Sequence, residues 1–329
     1  MAISHVADSD EAVTEGQCPT TMVSESPAVA RRRLRLTLRS LRDDRGLTQA
    51  AVADALGWSL SKLIRIERGE VTISRTDVTA LLSHYGVADA DMVRQLVDLA
   101  RVSRQRDWWA EPQLRVHVTK AMGQLLDFET AATVIRSFQH SVFPGLLQTE
   151  AYAAPILNYF NEQLPEATRA ARLELRKRRF EQVFGRPNPP QYLLVIDESV
   201  IWRQIGGPRV MAEQLRWILD QVDAGHVRIR VLPEEEPVMA VLVGQFIIVD
   251  LGDDAGSSDA VVYREQQTSD DMLFEPDEIV RHRRIFDQMW ESALEDEPSA
   301  RLIAARMASL RVAQDRAERA ARRTDSTSL

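Results

Sequence analysis

The stretch from Leu47 to Gly69, LTQAAVADALGWSLSKLIRIERG, constrains the fold more than any other part of the chain. Thr48 is placed to cap a helix whose apolar face is Val52 and Leu56. Ala53 falls where a second helix must cross the first, a position at which a larger side chain would push the two apart. Gly57 then supplies the positive φ that a tight turn between helices requires. Ser59 can cap the second helix, Leu63 and Ile66 face inward at i, i+3, and Gly69 stands where a glycine commonly ends one. An ordinary helical hairpin needs only some of these features. All of them in order describe a helix-turn-helix, whose second helix is shaped to enter the major groove of DNA.

The net charge of −8 over 329 residues argues against a nucleic-acid partner until its distribution is read. Between residues 28 and 104 the chain carries 14 Lys and Arg against 9 Asp and Glu. Residues 1–27 hold five acids and no Lys or Arg, and the remainder from Gln105 carries −8. A basic module is thus set in an acidic protein, as suits a DNA-binding head on a soluble body. Seven arginines lie between Arg31 and Arg45, directly before the helix-turn-helix, where they suit phosphate contact. The single cysteine, Cys18, excludes an internal disulfide and any multi-cysteine metal site, and neither metal nor cofactor is expected. With no apolar run of membrane-spanning length and an acidic N-terminus, a cytoplasmic, nucleoid-associated protein without membrane contact is expected.

Residues 1–27 are polar, acidic and aperiodic, so a disordered tail is expected there, and MVSESPAVARRRL from Met22 reads as an alternative start. An all-α, five-helix DNA-binding bundle is expected over 28–106, followed by an α+β (mixed α/β) domain over 107–329. The first helix spans 28–44 with Leu34, Leu38 and Leu41 on one face. The fourth spans 74–85, opened by Ser74 and Asp77 at capping-box spacing, and the fifth spans 88–104 with Met92, Leu96 and Leu99 as its stripe. Asp107-Trp108-Trp109 reads as an aromatic hinge docking the head on the body. Beyond it, helices are expected at 148–160, 165–184, 208–224, 276–294 and 298–323, and strands at 192–196, 226–232, 244–251 and 260–265. Residues 131–139 fit either element.

With its WSLSKLIRIERGE segment at 58–70, the N-terminal module resembles the lambdoid-repressor class, Cro-like and xenobiotic-response-element regulators. Trp108-Trp109, VFPGLLQTEAYA at 142–153 and RVLP at 230–233 resemble the C-terminal domain of actinomycete regulators of the WhiJ-like type. This resemblance implies a transcription regulator, often acting beside a small protein encoded nearby, with some members antitoxin-like. It assigns no chemistry to the second half.

Setting aside the inward Leu63 and Ile66 leaves Leu60, Ser61, Lys62, Ile64 and Arg65 outside. The repressor resemblance implies base contacts by Leu60, Ser61 and Arg65. Arg65 suits guanine O6 and N7, and Leu60, with no hydrogen bond to offer, suits a thymine methyl. Gln49, Ser59, Lys62, Arg68 and Arg75 are the expected phosphate or mixed contacts. Arg42 and Glu67 match a pair that bridges two helices in the repressors. One head reads too few base pairs for useful selectivity, so a homodimer on double-stranded DNA is expected, with half-sites roughly 34 Å apart.

In the second half His117, His140, His226 and His282 show no metal-ligand spacing, and Gly206-Gly207-Pro208 does not match a phosphate loop. Glu234-Glu235-Glu236 reads as a solvated loop. Asp197-Glu198 ends an apolar strand, where α/β proteins do place catalytic carboxylates. Three readings follow, in order: a regulator whose body senses a small-molecule effector or small partner protein, an antitoxin-like neutraliser of a partner, and an enzyme using Asp197 and Glu198. No catalytic residue is assigned. The last helix carries Arg301, Arg306, Arg311, Arg316 and Arg319, and its apolar Leu302, Ile303, Met307 and Leu310 point to packing on the body.

Overall fold

The computed structural model describes residues 26–68, 71–105, 108–160, 166–235, 242–252, 259–265 and 269–325, apart from the side chains of 159, 160, 313 and 315–325. The acidic tail up to residue 25, with Cys18 and Met22, and also Gly69, Asp107, Pro165 and Glu236, lie outside the described residues, as do the side chains of Arg316 and Arg319. Ser26 and Pro27, expected to belong to a disordered tail, instead cap and open the first helix.

Helices α1 (Pro27–Asp43), α2 (Gln49–Ala55), α3 (Leu60–Glu67), α4 (Arg75–His84) and α5 (Ala90–Val102) open the fold. Each begins where a Ser, Thr or Asp side chain can accept an otherwise unpaired N–H of the first turn: Ser26, Thr48, Ser59, Ser74 and Asp89. α5 starts later than its periodicity suggests, because Asp89 takes the N–H of Asp91 at 2.9 Å and fixes the start at Ala90. The Ser74 cap forms, with the Asp77 N–H at 3.0 Å, but the reciprocal half of the capping box does not. The Asp77 carboxylate accepts from the Lys62 ammonium at 2.9 Å instead, being one methylene shorter than the glutamate that reaches back in such boxes. These helices close on a core of Leu34, Leu38, Val52, Leu63, Val78, Leu81 and Leu96.

The body follows as α6 (Pro112–Arg115), α7 (Lys120–Glu129), β1 (Val134–Gln139), a 3-10 turn (Gly145–Leu147), α8 (Glu150–Phe160), α9 (Glu166–Phe184), β2 (Gln191–Asp197), α10 (Ser199–Trp202), α11 (Gly207–Asp223), β3 (Val227–Leu232), β4 (Phe246–Asp250), β5 (Ala260–Glu265), β6 (Asp270–Leu273), α12 (Pro276–Ser292) and α13 (Asp296–Asp325). The six strands form one mixed sheet in the order β3-β2-β1-β4-β5-β6. β1, β2 and β3 run parallel, and β4, β5 and β6 add antiparallel on the far side of β1. Residues 131–139, ambiguous by pattern, contain the strand β1, which is paired on both edges and buried on both faces, with Ile135 in one layer of the core and Phe138 in the other.

Alternation along the strands divides the core. Ile135, Leu194, Ile229 and Val249 face a layer that includes Phe184 of α9, Met211 and Leu215 of α11, and Ile303 and Leu310 of α13. Phe138, Val195, Phe246 and Val262 face α12 through Ile279, Phe286 and Met289. α13 therefore packs on the body, and Arg306 adds hydrogen bonds to the carbonyls of Ile201 and Trp202. Among the described residues no helix is long and apolar enough to cross a membrane.

The expectation of an aromatic hinge at the join between head and body needs correction. The tryptophan pair is a body element: Trp108 and Trp109 pack with Leu114, Leu126 and Leu175, and Trp109 Nε1 donates to Asp127 at 2.7 Å. Gly123 makes room for the Trp109 ring, which would lie 2.6 Å from a Cβ placed there. The join is made by α1. Its first turn, Ala28 and Val29, is buried in the body core, whereas Leu34 and Leu38 belong to the head core. Ser26 Oγ donates to the Asp127 carbonyl at 3.1 Å, and the buried Arg32 pairs with Asp259 at 2.7 Å. A heptad-like stripe along one helix cannot announce that its two ends face different cores.

Candidate nucleic-acid interface

The turn between α2 and α3 rests on Gly57, whose φ is +63°, with nothing within 4 Å of where a Cβ would stand. The demand for glycine there is therefore one of backbone conformation, not of space. Ala53 is 2 % exposed at the helix crossing, as close packing there requires. Ser59 Oγ accepts from the Lys62 N–H at 3.3 Å, and Leu63 and Ile66 are buried. That packing leaves Leu60, Ser61 and Arg65 exposed on the outer side of α3. Leu60 is 44 % exposed, a large apolar side chain held in water at the N-terminal end of a helix.

Behind α3 lies a buried ionic knot. Arg42 of α1 donates from Nε to Glu67 Oε1 at 2.7 Å and from Nη2 to Oε2 at 3.0 Å, a two-pronged pair closed off from solvent. Arg42 Nη1 also reaches the Leu47 carbonyl at 2.7 Å and Asp43 at 2.7 Å. The hydrogen bond to Glu67 outweighs burial and raises the pKa of the Arg42 guanidinium above its ordinary value. Tyr85 packs nearby, and its hydroxyl is pushed up to about 12 by burial, with the Glu67 charge adding to the shift.

Two expected DNA-facing side chains are occupied within the head. Gln49, half-buried, donates from Nε2 to Glu67 Oε2 at 2.7 Å and so joins the knot. Lys62 pairs with Asp77 and holds its ammonium 3.8 Å above the centre of the Trp58 ring. Both contacts close between elements that only the tertiary fold brings together. Ser59 and Arg75 remain exposed, and Ser59 uses its hydroxyl as the helix cap. Arg68 caps the opposite end of α3 from Leu60, and its carbonyl accepts from Arg35 Nη1 at 2.8 Å.

Residues 33–96 match the helix-turn-helix domain family, from within α1 to within α5. Residues 122–305, more than half of the chain, match the family described as a domain of unknown function (DUF5753). The chain belongs to this family. The helix-turn-helix match points to a DNA-binding regulator rather than an enzyme, and the DUF5753 portion takes in all six strands. No curated protein and no solved structure matches the chain.

Within the DUF5753 domain the Asp197-Glu198 pair is engaged in local structure. Asp197 Oδ1 accepts from the Ser199 N–H at 2.9 Å and from its hydroxyl. Glu198 accepts from Trp202 Nε1 at 3.0 Å and from the Glu234 N–H at 3.3 Å. His226 stacks on Phe184, and the buried His282 pairs its Nδ1 with the Glu278 carbonyl at 2.7 Å. No group of three or more His, Cys, Asp or Glu among the described residues is arranged to hold a metal ion. A cleft of about 850 Å3 lies between α8, α9 and α11, walled by Leu157, Leu173, Phe180 and Trp217. Three residues that line it, Gln148, Arg176 and Trp217, each carry a buried polar atom with no partner among the described residues.

Proposed function

We propose that this chain is a sequence-selective DNA-binding transcription regulator of the lambdoid-repressor class with a WhiJ-like body. A five-helix head over 28–106 reads DNA, a body over 107–329 follows it, and α3 is the recognition helix. The observation that carries the reading is the outer face of α3: exposed Leu60, Ser61 and Arg65 on a helix whose opposite side is locked by Leu63, Ile66 and the Arg42–Glu67 pair. Leu60 meets a thymine methyl, Arg65 reads a guanine, and Ser61 takes an adjacent base edge. Ser59, Arg68 and Arg75 lie where they meet phosphates, and Gln49 and Lys62 act mainly by stiffening the frame. A homodimer on half-sites roughly 34 Å apart supplies the selectivity that one head lacks.

The body is the sensory half, and the large cleft with its unpartnered polar atoms favours a small-molecule effector over an antitoxin-like partner surface. The test is binding of purified protein to fragments of its own promoter region across a salt series, beside Arg65→Ala. Selective binding that weakens as salt rises, with discrimination reduced by about 1–3 kcal/mol at one base position in the variant, supports the reading. Sequence-blind binding that the variant leaves unchanged refutes it.

A further inference from the structure

The cleft between head and body carries more positive charge than its own acids neutralise. It lies where α1 passes α7 and the β5–β6 edge and encloses about 330 Å3. Arg31, Arg32, Arg35, Arg68 and Lys120 line it, against Asp270 and Asp271. Both acids have other partners. Asp270 accepts from the Tyr263 hydroxyl at 3.2 Å and from the Thr119 hydroxyl, and Asp271 sits 3.7 Å from Arg264.

The cations are less well matched. Arg32 is 4 % exposed and directs Nε to Asp259 and Nη2 to the Ala260 carbonyl at 2.8 Å, yet its buried Nη1 has no partner among the described residues. Arg31 directs Nη2 to the Ser103 carbonyl at 3.2 Å, and its buried Nε likewise has none. A buried guanidinium N–H is normally matched by an acceptor, and these two groups can each donate to an oxyanion held in the cleft. Arg35 lies 4.7 Å over the Phe274 ring, and its guanidinium is pushed down to about 10, by burial first and then by Arg32 and Arg39, with Asp259 and Glu275 offsetting part of the effect.

We propose that this cleft binds a small molecule through a doubly charged oxyanion group of the phosphate type, and that its occupancy fixes how the head sits on the body. Arg32 is neutralised by Asp259 and Asp271 lies beside Arg264, so Arg31, Arg35 and Lys120 face Asp270. That surplus favours a dianion, and the volume leaves room for a small organic residue beside it. The consequence for DNA rests on the regulator reading. Arg35 holds the C-terminal end of α3 while Arg32, one turn away on α1, holds β5. A ligand that draws these groups together stabilises one head orientation over others, and by linkage the operator and the anion change each other's affinity.

The test uses inorganic phosphate as probe, titrated calorimetrically into the full chain at constant ionic strength, beside Lys120→Gln and the double variant Arg31→Gln/Lys120→Gln. Lys120 is exposed, so its replacement leaves folding intact. One saturable site is expected in the wild type, weakened about tenfold or more in the double variant. Operator affinity in 10 mM phosphate should differ from that in chloride at equal ionic strength by threefold or more, and this difference should vanish in the double variant. No saturable binding over chloride, or binding that both variants retain, overturns the proposal. A shallower salt slope for DNA binding in the variants also overturns it, because the cleft would then lie under the DNA backbone. Phosphate binding without selective DNA binding would leave the site standing and refute only the regulator reading.

Discussion

The Arg42–Glu67 pair sets the orientation of α3, and its two single replacements should be unequal in a way the structure specifies. Glu67→Ala removes three accepted hydrogen bonds, two from Arg42 and one from Gln49, but Arg42 keeps the Leu47 carbonyl and Asp43. The stranded guanidinium is therefore still partnered, and the loss should fall near the lower end for a broken buried pair, about 3 kcal/mol. Arg42→Ala strips the same pair and leaves Glu67, whose side chain is 4 % exposed, with Gln49 as its remaining partner in the knot. That variant should lose about 4–5 kcal/mol. The double variant should fall short of the sum, with a coupling of about 2 kcal/mol. Hydrogen exchange of α2 and α3 amides in the full chain reads these values locally. A loss of 3 kcal/mol corresponds to roughly a hundredfold or greater drop in protection. Operator binding by Glu67→Ala should weaken even where the head remains folded. Single variants that each lose less than about 1 kcal/mol, with coupling near zero, would mean the pair behaves as an exposed one and does not orient the helix.

Gly57→Ala meets open space but must hold φ at +63°, so it should destabilise the head by about 1–2 kcal/mol, measured by the same exchange experiment, and no change would remove the backbone argument. Gly123→Ala drives a methyl into the Trp109 ring and should loosen the Trp109–Asp127 hydrogen bond. A loss of about 1–3 kcal/mol should appear in denaturant unfolding of the body, and an unchanged midpoint would show that the ring has room to move. Glu129 and Arg179 form a two-pronged pair at 2.6 and 2.7 Å with both side chains buried. Glu129→Gln should lose about 3–5 kcal/mol, whereas replacing both by apolar residues of similar volume should come close to neutral. If the double replacement is as damaging as the single one, the pair stabilises the body beyond charge compensation.

The helix-turn-helix was legible in the sequence because its constraints are local. A cap acts on the amides of its own first turn, a positive φ belongs to one residue, and the inward positions of α3 follow from helical spacing. The strands β2, β3 and β5 were legible for the same reason, since apolar runs and alternation report burial directly. The short edge strand β6, with sequence DDML, exists only because it pairs with β5, and nothing in its own pattern announces that pairing. Gln49 and Lys62 looked like phosphate contacts from their places near helix starts. Their actual partners, Glu67, Asp77 and Trp58, come from neighbouring elements whose approach depends on how the helices pack.

The join between head and body went the same way. Local pattern pointed to the tryptophan pair, but α1 serves both cores, with Ala28 and Val29 in one and Leu34 and Leu38 in the other. By itself the sequence determined which segment turns, which residues cap it and which face of α3 is packed, because these depend on torsions and amides a few residues apart. Tertiary structure alone decided which of the outward polar groups already have partners, and that α1 is the element passing from one core to the other. Those outcomes depend on distances between segments far apart in the chain, which packing fixes and sequence spacing does not carry.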